Sequence, residues 1–190
     1  MAQLPSHAQQ KEAAVLRSLQ ESGFRKRYHH MTFDAVEHPE AWRIKEWVSS
    51  RTALSQSPGR GFVFVGGTGM EDFAMVTARA LHLQGQKTLA LSLTTLHLAM
   101  SEEREERERI EDRMDAASVL LLTKCGPIRQ GDDFLTPREA RRIDNVLDNW
   151  ISDGRRLLMH TSVPLRSVTW FAGDLVKRVA LVTETLVETK

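Results

Sequence analysis

The chain has a single cysteine, Cys125, and few aromatic residues, which make up 6% of its 190 residues. One cysteine excludes an internal disulfide framework and a cysteine-rich metal site, and it is typical of a reducing compartment. The sequence also lacks any apolar run near the roughly 18 residues that span a bilayer, and its start lacks the basic and apolar regions of a secretion signal. We therefore expect a soluble cytoplasmic protein with no membrane contact.

Charge of one sign is not in excess, because 26 Lys and Arg residues face 25 Asp and Glu residues and the net charge is +1. Such a balance gives no global field that marks a dedicated nucleic-acid binder, so any DNA contact must come from local basic clusters. Histidines include the neighbours His29 and His30, whose side chains point apart, and no third ligand has metal-binding spacing. We expect no metal site.

What the sequence does contain is an alternation of short apolar runs and helical patterns. Strands are predicted at 62–65, 87–93, 118–122, 156–161 and 179–184, and the intervening helices at 70–84, 95–115, 137–152 and 164–178. Strands separated by helices of this length predict right-handed crossovers and a parallel α/β sheet with helices on both faces.

Two more helices, at 6–23 and 39–54, are predicted ahead of the first strand. The first ends at Gly23, which is a typical helix stop. A chain of this length can form one well-cored domain with a short appendage. We therefore divide it into an N-terminal helical segment, 1–26, and one α/β domain, 27–190.

The most informative local pattern is a glycine loop, Gly66 to Gly69, which follows a buried strand and opens a helix. Loops of this kind cradle nucleotide phosphates and read G-x-x-x-x-G-K-[ST], with Lys on the terminal phosphates and Ser or Thr on magnesium. Thr68 lies within the loop, Met70 stands where Lys belongs, and Glu71 where Ser or Thr belongs. A carboxylate there suits the helix dipole but repels a triphosphate, which predicts a nucleotide-binding architecture that no longer uses ATP.

A second requirement of ATP hydrolysis is missing at the end of the third predicted strand. P-loop ATPases carry an acidic pair at such a position, for Mg²⁺ and for the attacking water. Thr123 and Lys124 occupy it here. Neither side chain holds magnesium, and a cation is no general base. We expect no catalytic residues, no ATPase activity, and neither ATP nor magnesium as a cofactor.

Taken together, these residues resemble the DnaC/IstB-like helicase loaders of the AAA+ class. The resemblance covers about 27–184 and is carried by Arg27 to Phe33, Gly61 to Ala74, Gly85 to Leu91, Val119 to Leu122 with Gly126, Leu157 to Ser162, and Phe171 to Arg178. It implies a P-loop NTPase-like (AAA+) sheet sandwiched by helices, with a short N-terminal helix. Compact loaders of this kind are similar to the replication proteins of temperate tailed phages.

Departures from that family are systematic. The glycine loop is about two residues shorter than the family's Gly-x-Pro-Gly-x-Gly-Lys form. The sensor Asn that the family places after Thr-Ser falls on Val163, and its finger Arg falls on Leu175, with Arg178 nearby but out of register. These differences argue against nucleotide binding, hydrolysis and nucleotide-driven ring assembly.

The resemblance also implies partners, namely a hexameric replicative helicase of the DnaB type and single-stranded DNA. We predict an ATP-independent helicase loader or adaptor in replication initiation, with self-association left open. The helicase contact would lie on Leu16, Leu19 and Phe24, since an amphipathic helix on a partner groove is a common binding mode. The alternative is that these residues pack on the chain's own core.

DNA contacts are predicted at basic residues that cluster in the sequence. They are Arg25, Lys26, Arg27, Arg138, Arg141, Arg142, Arg155 and Arg156. Few aromatic residues accompany them for base stacking. The alternative for the arginines at helical spacing, Arg138, Arg141 and Arg142, is an ordinary solvated helix face.

Two other functions remain open at this point. The chain could be a regulatory decoy that binds a true AAA+ loader or initiator rather than the helicase. It could instead be a residual ATP-binding protein in which Lys124 or Arg178 replaces the missing lysine, which predicts stabilisation by nucleotide.

Overall fold

The computed structural model describes residues 6–50, 61–101, 104–126, 137–168 and 173–188. Within these ranges the helices are α1 (His7–Glu21), α2 (Ala41–Ser49), α3 (Thr68–Leu83), α4 (Leu93–Ser101), α5 (Arg104–Ala116), α6 (Pro137–Ser152) and α7 (Gly173–Val182). The strands are β1 (Gly61–Val65), β2 (Thr88–Ser92), β3 (Val119–Thr123), β4 (Arg156–Thr161) and β5 (Thr183–Val187). Single 3-10 turns occur at Lys26–Tyr28, Phe33–Ala35 and Leu165–Ser167.

All five strands form one sheet in the order β2-β3-β4-β1-β5, and every pair is parallel. β1, β3 and β4 are buried along their whole length, because helices cover both faces of the sheet. In β1, Val65 pairs with Thr161 of β4 on one side and Val187 of β5 on the other. The predicted parallel α/β architecture is therefore confirmed.

Successive residues of β1 serve two separate cores, because side chains alternate across a strand. Phe62 and Phe64 lie in one cluster with buried residues of α1, α2 and α3. Val63 and Val65 lie in the other, with buried residues of α4, α5, α6 and α7. The carboxyl ends of the strands, where the glycine loop lies, are thus set between two packed helical layers.

Helix α1 is fixed to this sheet rather than separate from it. Its N-terminus carries a capping box between Ser6 and Gln9, and its end is followed by Gly23 at φ 90°. Leu19 packs in the same cluster as Tyr28, so packing continues across residue 26. The boundary placed there between an N-terminal segment and the α/β domain stays a prediction.

Two element predictions need correction within the described residues. The last strand is β5 at Thr183–Val187 and not 179–184, because the apolar run before it continues α7. Short apolar runs do not separate helix from strand by periodicity alone, and here Val179 is buried while Leu181 is 84% exposed. The segment predicted as a helix at 164–178 begins with a 3-10 turn at Leu165–Ser167, and α7 begins at Gly173. The helix predicted at 95–115 is covered by α4 and α5, and residues 102–103 lie outside the described ranges.

Residues 51–54 of the helix predicted at 39–54 lie outside the described ranges. None of the helices within those ranges combines the length and apolar character needed to cross a bilayer.

Candidate functional site

The glycine loop lies at the carboxyl end of β1, where Gly66 turns the chain into α3. The Gly66 amide donates to the carbonyl of Thr161 at 3.0 Å, and its φ is 152°. A side chain at this position would lie 2.6 Å from Cβ of Glu188 and 2.7 Å from Cγ of Met70. Only glycine fits so close an approach, so the loop is built around its contacts with the C-terminal residues.

The carboxylate of Glu188 lies against the glycine loop, at the N-terminal end of α3. The amide of Gly67, which precedes α3, donates to Oε2 of Glu188 at 2.9 Å. Glu188 follows β5 directly, and its own amide donates to the carbonyl of Val65 at 2.9 Å. An anion at a helix N-terminus is favoured by the amide groups and by the helix dipole. The Gly67 amide of the loop therefore has a carboxylate of the chain itself as its acceptor.

Met70, at the position where a phosphate-binding loop has its lysine, is part of the apolar core. Its side chain is 2% exposed and packs in the cluster that contains Phe64 and Phe73. A phosphate-binding lysine extends from this position to the ligand, whereas Met70 is part of the apolar core. Thr68 and Gly69 continue the loop into the first turn of α3.

Asp72 in α3 contacts Arg27 and Tyr28, which lie in the 3-10 turn Lys26–Tyr28. Asp72 Oδ1 accepts from the Tyr28 hydroxyl at 2.9 Å and from Arg27 at 3.1 Å, and Arg27 also donates to the Tyr28 oxygen. Desolvation of this buried phenol is the main cause that raises the pKa of Tyr28 to about 12. Glu71 is 8% exposed, and its Oε1 has no hydrogen-bond partner in the described part of the chain.

A cavity of about 340 Å³ opens beside the loop and is acidic. Its lining includes Glu37, Asp72 and Glu188, and no lysine or arginine lies among the described lining residues. His38 lines it as well, with Nδ1 accepting from the Glu40 amide and Nε2 facing the Val187 carbonyl, both at 3.1 Å. A triphosphate approaching the loop from this side would meet carboxylates of the same sign.

At the end of β3, Thr123 and Lys124 replace an acidic pair. Thr123 is 2% exposed and its hydroxyl donates to the carbonyl of Leu91 at 3.4 Å. Lys124 is exposed and adopts a left-handed backbone at φ 60°, which is uncommon outside glycine. Neither residue offers a carboxylate to magnesium.

His160 on β4 connects these two places, and no role was predicted for it from the sequence. Its Nδ1 accepts from the Lys124 amide at 3.4 Å, and its Nε2 lies 3.1 Å from the Gly66 carbonyl oxygen. The imidazole thus joins the end of β3 to the glycine loop. The signal available in the sequence was a histidine near the end of an otherwise apolar strand.

The two positions that the resemblance assigns to a sensor Asn and a finger Arg are occupied by apolar residues, Val163 and Leu175. Val163 is partly buried and packs against the α4–α7 core. Leu175 is 4% exposed in that same core. Arg178 forms an ion pair with Asp148 of α6, so it is already neutralised. Of the two residues considered as substitutes for the missing lysine, only Lys124 presents its side chain without a described ion pair.

The residues predicted to contact a helicase are mostly in the interior. Leu19 is fully buried and Phe24 is 3% exposed, while Leu16 is half-buried. The helix is further held by a 2.8 Å hydrogen bond between the Ser18 hydroxyl and His82 Nε2, and the His82 ring also contacts Phe24 edge-on. The alternative reading, in which these residues pack on the chain's own core, accounts for Leu19 and Phe24.

The predicted DNA contacts divide into exposed and engaged residues. Arg25, Lys26, Arg138 and Arg141 are exposed. Arg27 is exposed as well but is paired with Asp72.

Three other arginines are engaged within the fold. Arg142 donates to the carbonyl of Met100 at 2.9 Å. Arg155 pairs with Asp153 at 2.8 Å and lies over the ring of Trp150. Arg156 is 6% exposed, and burial lowers the pKa of its guanidinium. Because Arg156 begins the buried strand β4, the structure does not present it to a DNA phosphate.

Among known proteins, only solved structures proved similar to this chain, and they support its fold. No protein-family model matches the chain, and no curated protein matches it in sequence. The DnaC helicase loader is 17% identical, with a TM-score of 0.69 over 87% of this chain and 100% of its own. DnaI is 12% identical, with a TM-score of 0.67 over 88% and 93%. AMPPCP-bound DnaA from Aquifex aeolicus is 13% identical, with a TM-score of 0.64 over 87% and 50%. At such identities the similarity shows the fold alone, a five-stranded parallel sheet covered by helices and preceded by an N-terminal helix.

Proposed function

We propose that the protein is a helicase loader or adaptor in replication initiation, and that it acts without ATP. The observation that supports the second part is the hydrogen bond from the Gly67 amide to the Glu188 carboxylate, at the helix N-terminus where the loop pattern would require a nucleotide phosphate. The first part rests on the shared fold with the DnaC helicase loader over the whole length of that chain. A DnaB-type replicative helicase is the proposed partner, on single-stranded DNA.

Independence from ATP follows from three separate deficits at the same edge of the sheet. Met70 supplies no charge to a terminal phosphate, Thr123 supplies no carboxylate to magnesium, and Glu188 would have to be displaced by the ligand. Each deficit removes a favourable contact or adds a cost, so their effects on nucleotide affinity combine. A nucleotide would also have to enter beside the acidic cavity.

A loader of this kind works through binding energy alone. If it binds an open, DNA-accepting form of the helicase ring more tightly than the closed form, it shifts the ring towards opening by that difference in affinity. About 1.4 kcal/mol of differential affinity changes the ratio of the two forms tenfold. Hydrolysis is unnecessary for that step, and release then depends on DNA or on another protein.

Because Leu19 and Phe24 are buried, the helicase contact is proposed to lie on α2 and β5 rather than on α1. Trp42 of α2 is 67% exposed, and Val187 of β5 is 58% exposed. The neighbouring residue Arg43 holds the two elements together through Glu184, with one N–O distance of 3.1 Å. Exposed tryptophans are frequent anchors of protein interfaces. Trp42 is therefore the residue whose loss we expect to weaken the complex most.

Native mass spectrometry of the protein with its cognate replicative helicase, in the absence of nucleotide, tests this proposal. We expect a discrete complex with several copies per hexamer. Trp42→Ala should weaken it by about tenfold or more, as truncation of an anchor residue does. Leu98→Ala is the matched control, because Leu98 is an apolar residue of α4 with 47% exposure.

Free species only, under conditions where the helicase stays hexameric, would refute the loader. The same experiment with the cell's AAA+ loader or initiator would then show whether the protein is a decoy. A complex that Trp42→Ala leaves intact would support the loader and reject the assigned surface.

A further inference from the structure

A second cavity, of about 190 Å³, opens at the carboxyl ends of β2 and β3 and shares no lining residue with the acidic cavity. Arg25 and Arg113 line it, together with the hydroxyl-bearing residues Ser92, Thr95 and Thr123. None of its described lining residues is acidic. An acidic residue at position 123 would have given this cavity a negative charge.

Arg25 is brought to this cavity by a close backbone contact. The carbonyl of Ser22 accepts from the Ala90 amide of β2 at 2.8 Å. Gly23, at φ 90°, packs so closely on β2 that a side chain there would lie 2.2 Å from the Ala90 carbonyl oxygen. The exposed side chain of Arg25 forms no ion pair or hydrogen bond with any residue in the described ranges. Its full set of donors is therefore available to a ligand.

Arg113 approaches the cavity from α5 and is held in place. One of its nitrogens, Nη2, donates to the carbonyl of Glu21 at 2.8 Å, at the last residue of α1. The guanidinium has five N–H donors in a fixed fork, so donors remain after this bond. The half-buried position of Arg113 restricts its motion, which reduces the entropy that a ligand contact would cost.

Ser92 adds the N-terminus of a helix to the same cavity. Its Oγ accepts from the Thr95 amide at 3.0 Å and thereby caps α4, and it lies 2.7 Å from the Thr95 hydroxyl. These two hydroxyls share one proton between them and leave the other free to donate. Helix N-termini favour anions.

We infer that this cavity binds a phosphate group through Arg25, Arg113 and the Ser92–Thr95 hydroxyls at the start of α4. Two guanidinium groups, a free hydroxyl proton and a helix N-terminus are the donors that oxyanions require. A volume of about 190 Å³ is enough for one phosphate group and is below the roughly 300 Å³ at which ligand pockets begin. The phosphate is either a phosphodiester of single-stranded DNA or free inorganic phosphate.

The test uses the full chain and two probes. Fluorescence anisotropy measures binding of a labelled oligo(dT) strand, and phosphorus NMR line broadening measures binding of inorganic phosphate. Arg25→Gln removes one donor group. Ser92→Asp places a carboxylate in the cavity while still capping α4, because aspartate accepts from the same amide. Arg17→Gln is the control, since Arg17 is exposed on α1 and does not line the cavity.

Arg25→Gln and Ser92→Asp should each weaken binding by about tenfold, and Arg17→Gln by less than about twofold. The salt dependence of DNA binding should also fall by about one phosphate contact in Arg25→Gln. If Arg25→Gln and Ser92→Asp lose binding of oligo(dT) alone, the ligand of the cavity is a phosphodiester of DNA. If they lose the phosphorus NMR signal of bound phosphate, the ligand is the free ion. The inference is overturned if neither probe binds the unmodified protein. It is equally overturned if Arg25→Gln and Ser92→Asp bind as tightly as Arg17→Gln. None of these outcomes depends on the helicase.

Discussion

Replacing Glu188 is the perturbation that most directly examines the internal anion of the glycine loop. Glu188→Gln keeps the length of the side chain and an acceptor oxygen but removes the charge, and Glu188→Ala removes both. The charge is stabilised by the Gly67 amide at 2.9 Å and by the N-terminal end of α3. Glu46→Gln is the matched control, because Glu46 is an exposed carboxylate of α2.

The expected loss is modest because the contact is exposed. A hydrogen bond to a charged group contributes about 1.5–3 kcal/mol when it is shielded from water. The helix dipole adds about 0.3–1 kcal/mol, and solvent screening at an exposed position reduces both. We expect Glu188→Ala to lower the free energy of unfolding by about 1 kcal/mol, which for a chain of this size is about 2–4 °C in the melting temperature. Glu188→Gln should lie between Glu188→Ala and the unmodified protein.

Thermal melts with added phosphate test the same contact in a second way, because phosphate should raise the melting temperature that Glu188→Ala lowers. Glu188→Ala leaves the Gly67 amide without its anion, so phosphate should bind there and raise its melting temperature by mass action. The unmodified protein should gain no such increment at the loop, because its own carboxylate already fills the position. The assigned role of Glu188 is wrong if both Glu188 variants have the melting temperature of the unmodified protein and show the same response to phosphate as Glu46→Gln.

Three further predictions concern buried groups. The chain has a single tyrosine, so tyrosinate absorbance reports Tyr28 alone. The pKa of Tyr28 is about 12 in the folded protein and near 10 in the unfolded chain. The contribution of Tyr28 to stability should therefore be intact below pH 10 and lost as the pH rises towards 12. Tyrosinate absorbance already complete at pH 10 in folded protein would contradict this. Cys125 is fully buried and burial raises the pKa of its thiol, so a thiol reagent should label it only as fast as the protein unfolds. Rapid labelling of the folded protein would contradict this prediction. Met70→Lys would bury a charge in the core and should lower the free energy of unfolding by about 3 kcal/mol or more without creating ATP binding. Urea unfolding with and without ATP measures both effects. A variant as stable as the unmodified protein and further stabilised by ATP would contradict this prediction.

Much of the sheet was predictable because its apolar runs are short, separate and bounded by helices. β1 and β4 were located within a residue, and β2 and β3 within one residue at each end. The Met70 and Thr123 substitutions pointed to a degenerate nucleotide site, and the structure places both residues in the buried interior. These are local properties, which a sequence expresses directly.

What could not be predicted depends on contacts between distant residues. Glu188 and Gly67 are separated by 121 positions, so nothing in the glycine loop itself indicates its occupant. Arg155 and Arg156 look alike in the sequence, yet Arg156 opens β4 and is buried because the strand is central. Leu19 was ambiguous because a helix has the same apolar stripe whether it packs on a partner or on its own core.

Equilibrium dialysis of the full chain against labelled ATP with magnesium tests whether the protein has lost nucleotide binding. We expect that millimolar ATP binds no more than it does to a protein without a nucleotide site, both in the unmodified protein and in Met70→Lys. Stoichiometric, saturable binding of ATP by the unmodified protein would contradict this expectation, because Glu188 would then yield its position on Gly67 to a nucleotide phosphate.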